Sequence, residues 1–227
     1  MWAGFDRRSL RERCIAYLRD EIVTGRLQPG EHIKEVQLSD ALGISRGTLR
    51  EALRSIEHEG LLVNDGKGHM RVRTLTAKEI ADVFEVRTAL EVLAASKLAE
   101  DPRREEFAAS LQGKLKPLRR RDLDFGERIE LDIGFHALLC ELTGNSTLIA
   151  AWRNLIGQIR MMIIAAGSKT AVDRMRYAEH LPIVDAIRSG DVDAVRDTIT
   201  EHMSDFAQRY VADARAGQAA EPSPHAP

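Results

Sequence analysis

The chain has 227 residues, of which 30% are charged and 44% hydrophobic, and its formal net charge is −2. That length allows one or two domains, and a charge balance so near neutral announces no nucleic-acid partner. Only 5% of residues are aromatic, which favours helices packed through aliphatic side chains over a β-sandwich. Cys14 and Cys140 are too few for a disulfide scaffold. Neither a signal-peptide core nor a run of about 18 apolar residues is apparent. A membrane protein and a secreted enzyme are thereby disfavoured, and the expectation is a soluble, cytoplasmic, mostly helical protein.

In chain order, Leu10, Cys14, Ile15, Leu18 and Ile22 recur at helical steps and predict a helix over Ser9–Thr24. Pro29-Gly30 marks a turn. A short helix follows over Glu35–Leu42 and ends at Gly43. Ser45 is a good N-cap for a helix reaching His58. Two short extended segments, Leu61–Val63 and Met70–Arg73, flank the hairpin signal Asn64-Asp65-Gly66-Lys67-Gly68. From Thr76 onward only helical patterns remain, at Ala77–Glu100, Arg103–Arg121, Asp124–Thr143, Ser146–Ala166, Met175–Ser189 and Asp191–Ala214. Breaks fall at Asp101-Pro102, Gly144-Asn145, Gly167-Ser168 and Gly190. Expected domain limits are 8–75, 76–214 and a disordered tail over 215–227.

The helix after Ser45 carries the first functional pattern. At about 100° per residue, Leu49, Ala52, Leu53 and Ile56 share one arc, and Arg46, Arg50 and Arg54 share the neighbouring edge. Gly47 and Thr48 leave room near its N-terminus for a phosphate backbone. An arginine stripe on an isolated helix is usually a solvated face. Here a short helix, a tight turn and then a hairpin surround it, which is the order of a winged helix-turn-helix. Such a helix fits the DNA major groove, where arginine can bond guanine bidentately. The first 75 residues are also slightly basic, and the remainder slightly acidic.

The second pattern is polar residues on apolar helix faces. Asp132 and His136 share a face with Ile129, Ile133 and Cys140. His180 lies among Ile183, Val184 and Ile187, and His202 among Val195, Ile199 and Phe206. A buried carboxylate is costly unless it is paired or holds a metal. Each histidine alone reads as a packed core residue. Together with Asp132 they make a metal-ligand set an equal reading. Cys140 reads as packing rather than as a further ligand.

Two stretches resemble known domains. Leu27-Gln28-Pro29-Gly30-Glu31-His32-Ile33, the run from Leu38 to Leu53 and Glu59-Gly60-Leu61 resemble the DNA-binding domain of the GntR family of bacterial transcription regulators, over about Leu10–Arg73. The resemblance implies DNA contacts from Arg46 and Arg50 and a wing tip at Gly68, and the DNA-facing set becomes Arg46, Gly47, Thr48, Arg50, Arg54, Lys67, Gly68 and His69. The family commonly has Thr-Pro where this chain has Gly47-Thr48, and Lys67 and His69 flank Gly68 here; both bear on the operator sequence. Asp132-Ile133-Gly134-Phe135-His136, Glu179-His180 and Glu201-His202 resemble the FCD effector domain of the FadR-type branch, over roughly Thr76–Asp213.

That second resemblance implies a bundle of six or seven helices that binds a metal through Asp132, His136, His180 and His202, and often a small carboxylate. Zinc leads, with nickel, iron and manganese open. Arg87, four residues before Glu91, matches a segment of the domain's first helix; it either pairs with a carboxylate effector or forms a structural salt bridge. Asn154 and Arg160 are further pocket candidates. The expected protein is a homodimeric regulator, a repressor by resemblance, that reads a palindromic operator and answers to a small organic acid. Its rivals are a regulator whose signal is the metal itself and a metal-dependent hydrolase. No general base beyond the ligand set favours the hydrolase.

Overall fold

The computed structural model describes residues 9–66 and 68–220, which fall into two compact units dividing between Thr74 and Leu75. In the first unit, α1 (Leu10–Val23) is opened by a reciprocal cap between Ser9 and Glu12. It lies against α3 (Arg46–His58) and buries Cys14, Leu18, Ile22 and Val23. The helix α2 (Glu35–Leu42) stops at Gly43, whose φ of 62° is a left-handed conformation that a side chain would strain. Ser45 then caps α3 by accepting from the Thr48 amide at 3.1 Å. The strands β1 (Leu62–Asn64) and β2 (Met70–Val72) pair antiparallel, with Val63 opposite Arg71.

One strand-like segment was not legible in the sequence. His32 bridges Arg71, the Ile33 amide donates to the Met70 carbonyl at 2.8 Å, and the Val72 amide donates to that of Glu31 at 2.9 Å. The chain after Pro29-Gly30 therefore ties the wing back to the start of α2.

The second unit is helical. Its long α4 (Ala77–Glu100) packs on α6 (Phe125–Glu141), α7 (Ser146–Arg174), α8 (Tyr177–Ser189) and α9 (Val192–Ala220). Capping boxes open α4 at Thr76 and α6 at Asp124. The helix expected over Arg103–Arg121 is shorter: α5 covers Arg104–Leu115, and a 3-10 turn covers Lys116–Arg119. Pro117 supplies no amide to continue the α-helical ladder. The tail expectation also needs correction, because α9 continues through 215–220; residues 221–227 lie outside the described residues.

The first part of α7, Ser146–Gly167, is long and apolar enough by composition to cross a membrane, despite Arg153 and Arg160. Half of it is buried within the unit, as a core helix would be. The break expected at Gly167 is a kink: φ 77° and ψ 160° interrupt an otherwise helical run. Nothing lies within 4 Å of a Cβ placed there, so the constraint is backbone conformation alone. Gly167→Ala should cost roughly 1–3 kcal/mol in chemical denaturation; unchanged stability would mean that the helix runs straight through this position.

Candidate functional site

In the first unit, burial of Leu49, Ala52, Leu53 and Ile56 fixes the rotation of α3 and leaves Arg46, Gly47, Arg50 and Arg54 exposed. Thr48 is held at the helix start, its hydroxyl 2.9 Å from that of Ser45. Arg50 donates from Nε to Glu35 on α2 at 2.8 Å. An open groove of about 670 Å3 joins the elements, lined by Lys34, Glu35, Val36, Arg50, Gly68 and His69 among others. The structure thus brings Arg50 of α3 and Gly68 and His69 of the wing to one groove. Gly68 has a φ of 91°, and His69 donates from its amide to Asp65 at 3.1 Å. Lys67 lies outside the described residues. Glu35 is the acidic member that sequence reasoning passed over.

In the second unit, α6, α8 and α9 bring His136, His180 and His202 together, with one ligand atom from each lying within 4.8 Å of the others. Their rings stack edge-on or tilted, with centroids 4.8–5.5 Å apart. Phe135 closes over His136 and His180, and Phe206 over His202. His136 and His180 are buried, whereas His202 keeps some exposure. His180 Nδ1 stands 3.0 Å from the Arg176 carbonyl. A carbonyl only accepts, so Nδ1 carries a proton. The Nε2 of the same ring is 2.9 Å from Asp132 Oδ1 but out of line for a hydrogen bond.

Asp132 Oδ1, His136 Nε2 and His180 Nε2 are all buried and lack hydrogen-bond partners. Such atoms are costly unless something else satisfies them. Imidazole nitrogens and a carboxylate suit a divalent transition metal, so the residues present fit one.

Arg87 and Glu91, both buried on α4, adjoin the cluster. Glu91 takes a bond from Arg87 at 2.8 Å and one from Trp152 at 3.1 Å, and lies 2.6 Å from His136 Nδ1. Burial opposes its charge, but His136 and Arg87 outweigh that and bring its carboxyl to about 2. Burial likewise opposes the charge of Asp132, and the adjacent His180, His136 and Arg87 hold its carboxyl below the usual range.

Asn154 and Arg160 are not brought to this cluster. Asn154 is exposed, two residues from the buried Trp152 and so on the opposite side of α7. Arg160 is occupied by a bidentate pair with Glu130, at 3.0 Å to each oxygen; Glu130 lies two residues from Asp132 on the far side of α6. Cys140 is fully buried, and burial pushes its thiol up, which keeps it protonated as a packing residue. Trp152 offered no sequence signal. Glu91 offered one, as the partner of Arg87 on the face that also carries Phe84 and Leu98.

These two units define a winged-helix DNA-binding transcription regulator with a helical second domain. Residues 10–72 match the family described as bacterial regulatory proteins, gntR family, and residues 82–205 match the FCD domain, over half the chain. The chain belongs to the GntR family and carries the FCD domain. It is 30% identical over 201 residues to an uncharacterized HTH-type transcriptional regulator of Streptomyces ambofaciens, covering 86% of this chain and 83% of that one. It is 23% identical to the HTH-type transcriptional repressor RspR of Escherichia coli (strain K12), covering 87% of each. Its fold matches that of E. coli McbR/YncC with a TM-score of 0.62 at 19% identity, covering 89% of this chain and 99% of that one. Family and relatives are transcription regulators, not enzymes.

Burial disfavours protonated His136, and burial with His180 and His136 beside it does the same for His202. Both therefore take up protons on unfolding below their ordinary value of about 6.5, and the unfolded state binds more protons. Stability of the metal-free protein should be flat between about pH 7 and pH 8, above which the buried thiols Cys14 and Cys140, held protonated in the fold, begin to lower it. It should fall below about pH 6.5, by roughly 1.4 kcal/mol per pH unit for each proton taken up. Urea melts across this range check the slope; rising stability on acidification would contradict the burial of neutral rings.

Proposed function

We propose that the protein is a homodimeric repressor in the cytoplasm whose grip on a palindromic operator is set by a small organic acid bound beside a metal. The observation that carries this reading is the pairing, in one chain, of an exposed arginine edge on α3 with a three-histidine cluster in which the Nε2 atoms of His136 and His180 are buried and lack hydrogen-bond partners. Arg46, Arg50 and Arg54 read and grip DNA, Gly47 and Thr48 admit its backbone, and Lys67, Gly68 and His69 form the wing contact. Repression follows the relative named as a repressor.

His136, His180, His202 and Asp132 hold the ion, zinc first, which would supply a Lewis-acidic centre with positions left for an anionic ligand. Charge supports an acid as effector. Arg87 brings one positive charge; Glu91 and Asp132 bring one negative each. With neutral imidazoles and a divalent ion the cluster is left with a single positive charge, which one carboxylate balances. Arg87, already half committed to Glu91, orients that carboxylate.

Dimerisation has a face available: Val86, Ala89 and Leu93 leave an exposed apolar strip along α4. A two-fold protein suits a two-fold operator. The effector acts only through unequal affinity for two arrangements of the dimer.

Against a duplex selected from a random pool, Arg50→Ala should lose roughly 1–3 kcal/mol of specific binding at fixed salt; unchanged affinity removes Arg50 from the reading head. The double variant His180→Ala, His202→Ala should purify without bound metal by elemental analysis. Full occupancy would refute the ligand set.

A further inference from the structure

Beside the cluster, three side chains aim nitrogen atoms at the Glu91 carboxylate. Glu91 is fully buried on α4. Its Oε1 accepts from Arg87 Nε at 2.8 Å and from Trp152 Nε1 at 3.1 Å, and its Oε2 faces His136 Nδ1 at 2.6 Å. A carboxylate in this setting only accepts, so His136 Nδ1 must carry the proton. In a neutral imidazole the other nitrogen is then a bare lone pair. That atom, His136 Nε2, is buried without a partner and belongs to the three-histidine group.

We propose that Glu91 is a positioning residue for the metal centre: it locks the ring and tautomer of His136 so that Nε2 faces His180 and His202 with its lone pair available. The proposal rests on reading the three histidines as metal ligands. It adds a residue on a fourth helix, and it makes the ligand set depend on hydrogen bonds that α4 and α7 supply. Outer partners of this kind typically alter metal affinity roughly 10–100-fold when removed.

Glutamine cannot stand in, although its shape is nearly the same. Its amide has one accepting oxygen and one NH2 that only donates. If the oxygen faces His136, the NH2 meets two other donors, Arg87 and Trp152. If the oxygen faces those, the NH2 donates to His136 Nδ1. The proton then moves to Nε2, onto the atom that should bind the ion. Either arrangement spoils the site without removing volume.

The alternative role for Glu91 is only to neutralise Arg87. The two roles separate in an experiment on the full chain, labelled with 15N-histidine and freed of metal. Long-range 1H–15N correlations report which nitrogen of each ring is protonated, and His136 is assigned by the signal lost in His136→Gln. Wild type should carry the proton on Nδ1. In Glu91→Gln it should appear on Nε2, or the zinc affinity measured by chelator competition should fall roughly tenfold or more with the ring unchanged. A purely structural Glu91 would lower the melting temperature of the metal-free variant and leave zinc affinity within about twofold, which overturns the proposal.

If Glu91→Gln fails to fold, wild type alone still decides, since His136 protonated on Nε2 contradicts the lock. Wild type that takes up no zinc, yet keeps His136 protonated on Nδ1, would overturn the metal reading and leave the orientation by Glu91 standing.

Discussion

The second unit is organised around one carboxylate that has left water. Glu91 is fully buried on α4, and a buried charge of this kind is tolerable only when donors surround it. Arg87 comes from its own helix, His136 from α6 and Trp152 from α7. Satisfying Glu91 therefore fixes the rotation of three helices at once. Apolar packing around it, such as Phe135 against His136 and His180, then has one arrangement to fill. Losing any donor would leave a buried acceptor unmet, at a cost of about 1–3 kcal/mol or more. The network also faces the three-histidine group, so the demands of the fold and of the site meet in the same side chains.

The first unit follows the opposite logic. There the functional groups stay in water and apolar residues do the orienting. Leu49, Ala52, Leu53 and Ile56 bury one face of α3, and the arginine edge is exposed as a consequence. The Arg50–Glu35 pair lies largely in solvent, with Arg50 66% exposed, and contributes little to stability. It restrains where the guanidinium points. A whole-chain charge of −2 conceals this arrangement, in which three arginines share one helical edge.

Much of the architecture was legible from periodicity and punctuation. Ser45, Gly43 and the Asp124–Glu127 pair mark helix ends by local chemistry, and the structure uses each of them. Local rules failed where a distant partner decides. The backbone of Glu31–Ile33 becomes strand-like only because β2 is there to pair with it. Residues 215–220 look like a tail by composition but extend α9. Asn154 and Arg160 sit on a helix with the right general place in the chain, yet one faces solvent and the other is taken by Glu130.

By itself the sequence determined the two-part organisation, the amphipathic cut of α3, and the inward faces of His136, His180 and His202. Those follow from helical period, caps and burial, which act over a few residues. Only the tertiary structure decided which buried polar groups meet. Arg87 and Glu91 could be a simple ion pair four residues apart; it is the approach of α6 and α7 that adds His136 and Trp152 to the same carboxylate. Hydrogen bonds between helices depend on distances and angles of a few tenths of an ångström, and no helical period encodes them.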